Sequence, residues 1–145
     1  NSWFGDASEA WRACGVRELA EEVGLALTSD GLVVADVSRV ASAPPALAVL
    51  PQVSHWVAPE DVPVRFDARY FAVAAPRGIE PDPDGVEAER AWWARPVDLL
   101  VANESGGANL YWPTMKVMEG LAACQTVDDV RASTFPQLEP EVQIV

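Results

Sequence analysis

The sequence predicts an α+β domain in which a mixed sheet lies between helices. Three observations carry this expectation. Residues 6–23 hold a helical hydrophobic period that stops at a glycine. Residues 65–75, "RFDARYFAVAA", are aromatic and alternate at their start, as a strand does. Residues 113–124, "PTMKVMEGLAAC", return to a helical period behind a proline. The chain has 145 residues, half of them apolar, which suits a single domain spanning 1–145 with a real core.

In order along the chain, Asp6 and Glu9 resemble a capping box with Asp as the cap. At about 100° per residue, Ala13, Val16, Leu19, Ala20 and Val23 form one apolar stripe. Glu18, Glu21 and Glu22 lie opposite, and Gly24 is the expected stop. "TSDG" at 28–31 reads as a turn, followed by the apolar segment "LVVADVS". "ASAPPALAVLP" is irregular, broken by Pro44, Pro45 and Pro51, and "QVSHWVA" reads as a strand. After the 65–75 strand, "PRGIEPDPDG" is a loop. "VEAERAWWA" reads as a further strand feeding a short helix, "PVDLLVANE", with Pro96 in its first turn. "TVDDVRAS" is a short helix capped by Thr126, and the tail "FPQLEPEVQIV" is expected to be extended. No internal repeat and no low-complexity tract is present.

Composition narrows the function. The net charge is −12, and Lys116 is the sole lysine among ten basic residues, which argues against duplex DNA or RNA as a partner. It does not exclude a small phosphorylated substrate, because a divalent cation supplies charge that side chains do not. No apolar run approaches the roughly 20 residues of a membrane span. The start "NSWFGDASEA" lacks the basic and apolar regions of a signal peptide, so a cytoplasmic setting is expected. Cys14 and Cys124 fit no metal spacing, and a disulfide is not expected in a reducing compartment.

The acidic turn has two readings. Like charges three or four positions apart destabilise a helix by a few tenths of a kcal/mol per pair. Such a cluster is commonly a solvated face. Alternatively, residues at i, i+3 and i+4 converge on a hard cation such as Mg²⁺, which takes carboxylate oxygens together with water and substrate phosphates.

The surrounding residues favour the second reading. "EAWRACGVRELAEEVGL", Glu9 to Leu25, resembles the Nudix box: a Gly, five residues, a Glu, seven residues, then R-E-U-x-E-E-x-G-U with U apolar. Glu9, Arg17, Glu18, Leu19, Glu21, Glu22, Gly24 and Leu25 match in register; the opening Gly is replaced by Trp3. An insertion between that Gly and the Glu occurs in the subgroup containing the peroxisomal CoA diphosphatase. "VSHWVAPEDVPVRFDARYFAVAAP" at 53–76 and the closing "PTMKVMEGLAACQTVDDV" are similar to that subgroup too, so the resemblance spans roughly 6–133. It implies the Nudix-type α/β/α sandwich. Nudix domains place two or three strands before the box helix, and here the chain starts almost on it, so strands N-terminal to this sequence are expected to be missing from it.

The resemblance implies a pyrophosphohydrolase dependent on Mg²⁺ or Mn²⁺ that cleaves a nucleoside diphosphate linked to another group. CoA or acyl-CoA leads, with ADP-ribose, NADH or a damaged nucleotide as alternatives. The metal ligands it implies are Glu18 and Glu22, with Glu21 as a third. Arg17 orients the acids, reaching Glu21 at i+4, and Glu9 helps to fix Arg17. Glu18 and Glu21 join Arg17 as the expected catalytic residues. The base is either a box acid or a later carboxylate, Glu87 or Glu89, which otherwise are solvated strand-edge groups. Homodimers are common in the family. A Nudix-fold module that binds nucleotide without cutting it is the competing class, and an acidic structural domain a third.

Other residues are weaker signals. Arg65 and Arg69 share a strand face with Asp67 and suit either a substrate phosphate or an ion pair. His55, the one histidine, reads as structural. Cys14, one turn before Glu18, reads as a small residue for close packing. Trp92 and Trp93 are expected in the core or as sheet cover, and Tyr111 and Trp112 in surface packing.

Overall fold

The computed structural model of the protein describes residues 9–58, 63 and 67–132, with the side chain of Val49 left out. The described residues fall into two compact units, 9–50 with 73–93, and 51–58, 63 and 67–72 with 94–132.

The first unit is built on helix α1 (Ala10–Val23). Its stripe is inward as expected: Ala13, Val16 and Ala20 are buried, while Leu19 and Val23 are half-buried. Two alanines on the buried line let the helix approach its neighbours closely. Gly24 ends the helix in the left-handed region (φ 66°), its N–H donating to the Ala20 carbonyl. The cap expected at Asp6 lies outside the described residues.

Strands β1 (Leu25–Thr28) and β2 (Gly31–Val34) follow as an antiparallel hairpin in the register Leu25 opposite Val34 and Thr28 opposite Gly31. Buried Thr28 is satisfied at the turn: its hydroxyl donates to the Gly31 carbonyl (2.9 Å) and accepts from Asp30 N–H (3.1 Å). "LVVADVS" is not one apolar segment. Asp36 accepts the Ser38 N–H at 3.0 Å and starts helix α2 (Val37–Ser42). The core of this unit is Ala13, Val16 and Ala20 with Leu25, Ala26, Leu27, Leu32, Val40, Leu47 and Leu50.

The 86–94 stretch expected as a strand forms none. Asp84 gathers the amides after it into a turn, which competes with an extended backbone. Trp92 and Trp93 are not core residues either; they are 64 % and 53 % exposed. The Trp93 indole N–H donates to the Ile79 carbonyl at 2.7 Å, and the Arg90 guanidinium lies over the Trp92 ring.

The second unit holds the antiparallel pair β3 (Gln52–Val57) and β4 (Asp67–Phe71), with a register irregularity between Gln52 and Ser54. Ser54, His55 and Trp56 are buried. Buried His55 has its Nε2 2.6 Å from Asp67 Oδ1. Arg69 Nε is 3.7 Å from the same Asp67 oxygen, the ion-pair arrangement; Arg65 lies outside the described residues. Helix α3 (Pro96–Glu104) packs on helix α4 (Trp112–Ala122), and helix α5 (Val127–Ala132) follows. Tyr111 is exposed, and Lys116 covers the exposed Trp112 ring at 4.5 Å. The tail after residue 132 lies outside the described residues.

Among the described residues the strands pair only antiparallel, in two two-stranded sheets, where the sequence predicts a mixed sheet. The connections explain it. Ser29 and Asp30 alone join β1 to β2, and residues 58–66 join β3 to β4, short of the dozen or so that a parallel crossover needs. No described helix is long and apolar enough to cross a membrane.

Candidate metal centre at the end of the first helix

The site begins with the geometry of α1. Glu18 and Glu22 are one turn apart at i and i+4, on the side away from Ala13, Val16 and Ala20. Both are half-buried. A third carboxylate arrives from the 76–93 loop: one oxygen each of Glu18, Glu22 and Glu87 lies within 4.8 Å of the others.

Two backbone contacts bring the loop here. The last carbonyls of an α-helix have no partner inside the helix. In α1 the Glu22 carbonyl accepts the Asp84 N–H (2.9 Å) and the Val23 carbonyl accepts the Asp82 N–H (2.7 Å). Gly24 permits the approach, since a β-carbon there would stand 2.7 Å from the Asp82 carbonyl oxygen.

Glu21 is not part of this group. Arg17 lies between the acids, with Nη2 2.9 Å from Glu18 Oε1 and Nη1 3.5 Å from Glu21 Oε2. Arg17 therefore spans one member of the carboxylate group and one acid outside it. The same Nη2 is 3.8 Å from Cys14 Sγ, and Cys14 is exposed, not the packing residue the sequence predicts. Cys14 and Cys124 form no disulfide. Glu89 is exposed and outside the group. Of the sequence-predicted carboxylates, the fold thus gathers Glu18, Glu22 and Glu87 and leaves Glu21 on Arg17.

Electrostatics follow from the crowding. A hydrogen bond with Glu18 is the largest cause that raises the Glu22 pKa; burial follows, then the hydrogen bond and charge of Glu87. The folded state therefore favours protonated Glu22. Its contribution to stability is full below the unfolded carboxyl pKa and is lost as pH rises through the elevated folded value. In chelator, the melting temperature is expected to fall as pH rises through the weakly acidic range. Added Mg²⁺ should remove most of that fall by taking the place of the proton. A melting curve equally pH-dependent with and without Mg²⁺ would argue against cation uptake by this group.

The chain matches no protein-family model and no curated protein. It is similar to a solved structure, the crystal structure of a NUDIX hydrolase from Alicyclobacillus acidocaldarius, with a TM-score of 0.66 and 25% identity. The similarity covers 81% of this chain and 63% of that one, so the chain spans somewhat less than two thirds of that protein's length. The carboxylate group at the end of α1 is thus carried by a chain whose fold is similar to that of a Nudix hydrolase.

Proposed function

We propose that the protein is a divalent-cation-dependent pyrophosphohydrolase of the Nudix type, acting on a nucleoside diphosphate linked to another group. The observation that supports it most is the convergence of Glu18, Glu22 and Glu87 in a fold similar to a Nudix hydrolase.

The donor set fits a hard cation. Mg²⁺ takes oxygen ligands at about 2.1 Å, which places ligand oxygens about 3 Å apart when adjacent and about 4.2 Å when opposite. The three carboxylate oxygens lie within 4.8 Å of one another, close to that range, and none of the three is buried. All donors are carboxylates, with no thiolate or imidazole to favour a softer metal. When bound, the cation would neutralise phosphate oxygens and make a water more acidic.

Glu18, Glu22 and Glu87 would hold it. Arg17 fixes the Glu18 carboxylate from the side and keeps a positive charge at the edge of the group. Glu21 sits on Arg17, so we assign it to orienting the guanidinium and not to direct ligation. The substrate we favour is CoA or an acyl-CoA, on the resemblance of residues 53–76 to the CoA-cleaving subgroup; ADP-ribose and NADH are the competitors.

The complete protein, incubated with CoA, ADP-ribose or NADH and followed by product chromatography, is expected to cleave CoA with Mg²⁺ or Mn²⁺ and to stop in chelator. Cleavage of ADP-ribose or NADH instead would retain the reaction class and replace the substrate. Tight nucleotide binding with no turnover of any of the three would favour a non-catalytic module.

A further inference from the structure

We infer that Asp84 is a positioning residue for the cation site: its carboxylate gathers the amides that follow it and so delivers Glu87 to Glu18 and Glu22. The inference rests on the reading of that group as a cation site.

Glu87 needs holding. It comes from a loop without regular secondary structure, and it is placed against two other carboxylates. Repulsion among three such groups would drive the loop outward. The observed connections oppose this. The Glu22 carbonyl accepts the Asp84 N–H at 2.9 Å. Asp84 Oδ1 in turn accepts the N–H groups of Val86 (3.0 Å), Glu87 (3.1 Å) and Ala88 (3.0 Å). Asp84 is therefore hydrogen-bonded directly to the backbones of two of the three carboxylate residues. Gly85, in the left-handed region at φ 75°, donates to the Ala88 carbonyl at 3.0 Å and closes the turn.

The chemistry explains the residue type. A carboxylate oxygen has acceptor capacity for several amides and no proton to donate. Asp84 itself stands outside the Glu18–Glu22–Glu87 group, so its negative charge serves the backbone and not the cation. An asparagine would keep the accepting oxygen and lose only the charge. An alanine would lose the acceptor and release the three amides together.

The test is Mn²⁺ titration of the whole protein, with bound metal read by electron paramagnetic resonance, for wild type, D84A, D84N, E87Q and the double variant D84A/E87Q. Groups that orient metal ligands typically change affinity about 10- to 100-fold when removed. D84A is expected to weaken Mn²⁺ binding by that factor, D84N by no more than a few-fold, and the double variant no further than E87Q alone. Amide hydrogen exchange at residues 86–88 should quicken in D84A and not in D84N. G85A provides a second route should D84A fail to fold. A β-carbon there meets nothing within 4 Å and strains only the turn, so it should weaken Mn²⁺ in the same direction. Wild-type affinity in D84A, or losses in D84A and E87Q that add fully, would overturn the inference while leaving the cation site standing. A wild-type protein that takes up no Mn²⁺ would overturn both.

Discussion

Glu22→Gln is expected to lower cation-dependent hydrolysis by several orders of magnitude and to leave the chain folded. A carboxylate oxygen of Glu22 lies within 4.8 Å of one from Glu18 and one from Glu87. An amide keeps its shape and removes its charge, so a cation held there would lose a ligand. Stability should move the other way. With one negative charge fewer in the group, the metal-free variant should melt at or above the wild-type temperature, since each like-charged helical pair costs a few tenths of a kcal/mol. The two readouts together separate a site residue from a structural one. Glu21→Gln is the internal control. Its carboxylate rests on Arg17, 3.5 Å away, and outside the group. It should cost far less activity than Glu22→Gln. Equal losses for the two would show that Glu21 belongs among the ligands.

Gly24→Ala is expected to be the most destabilising single methyl in the first unit. Two independent costs meet there. The residue is at φ 66°, where an alanine costs about 1–2 kcal/mol. Its β-carbon would also stand 2.7 Å from the Asp82 carbonyl oxygen and 2.9 Å from Asp82 Cβ, so the loop backbone has to move. Together these suggest about 2–4 kcal/mol, which for a chain of this length is a drop in melting temperature on the order of 10 °C. The loop that moves is the one carrying Glu87, so Mn²⁺ affinity should fall in the same variant. Thermal unfolding and Mn²⁺ titration check both halves. A variant that melts as the wild type does would contradict both the backbone strain at Gly24 and the docking of the loop on the end of α1.

Several elements were legible from local chemistry. The α1 stripe of Ala13, Val16 and Ala20, the stop at Gly24, the turn at 28–31 and the helix Pro96–Glu104 each follow from a residue and its immediate neighbours. The extended reading of residues 86–94 failed because the turn there is made by Asp84, a single side chain whose bonds no hydrophobic period reports. The exposure of Trp92 and Trp93 was hidden for a related reason. Aromatic residues signal a core unless something else satisfies them, and here the Ile79 carbonyl and Arg90 do so.

The candidate site divides along the same line. Helical periodicity alone places Glu18 and Glu22 on one face and Arg17 within reach of Glu21, because i and i+4 contacts are a property of the helix. Which third carboxylate joins them is a different kind of fact. Glu21 and Glu87 were both available in the chain, and only the docking of the 76–93 loop on the free carbonyls of Glu22 and Val23 decides for Glu87. Contacts between residues about sixty positions apart depend on where backbones meet, and a sequence read locally has no term for that.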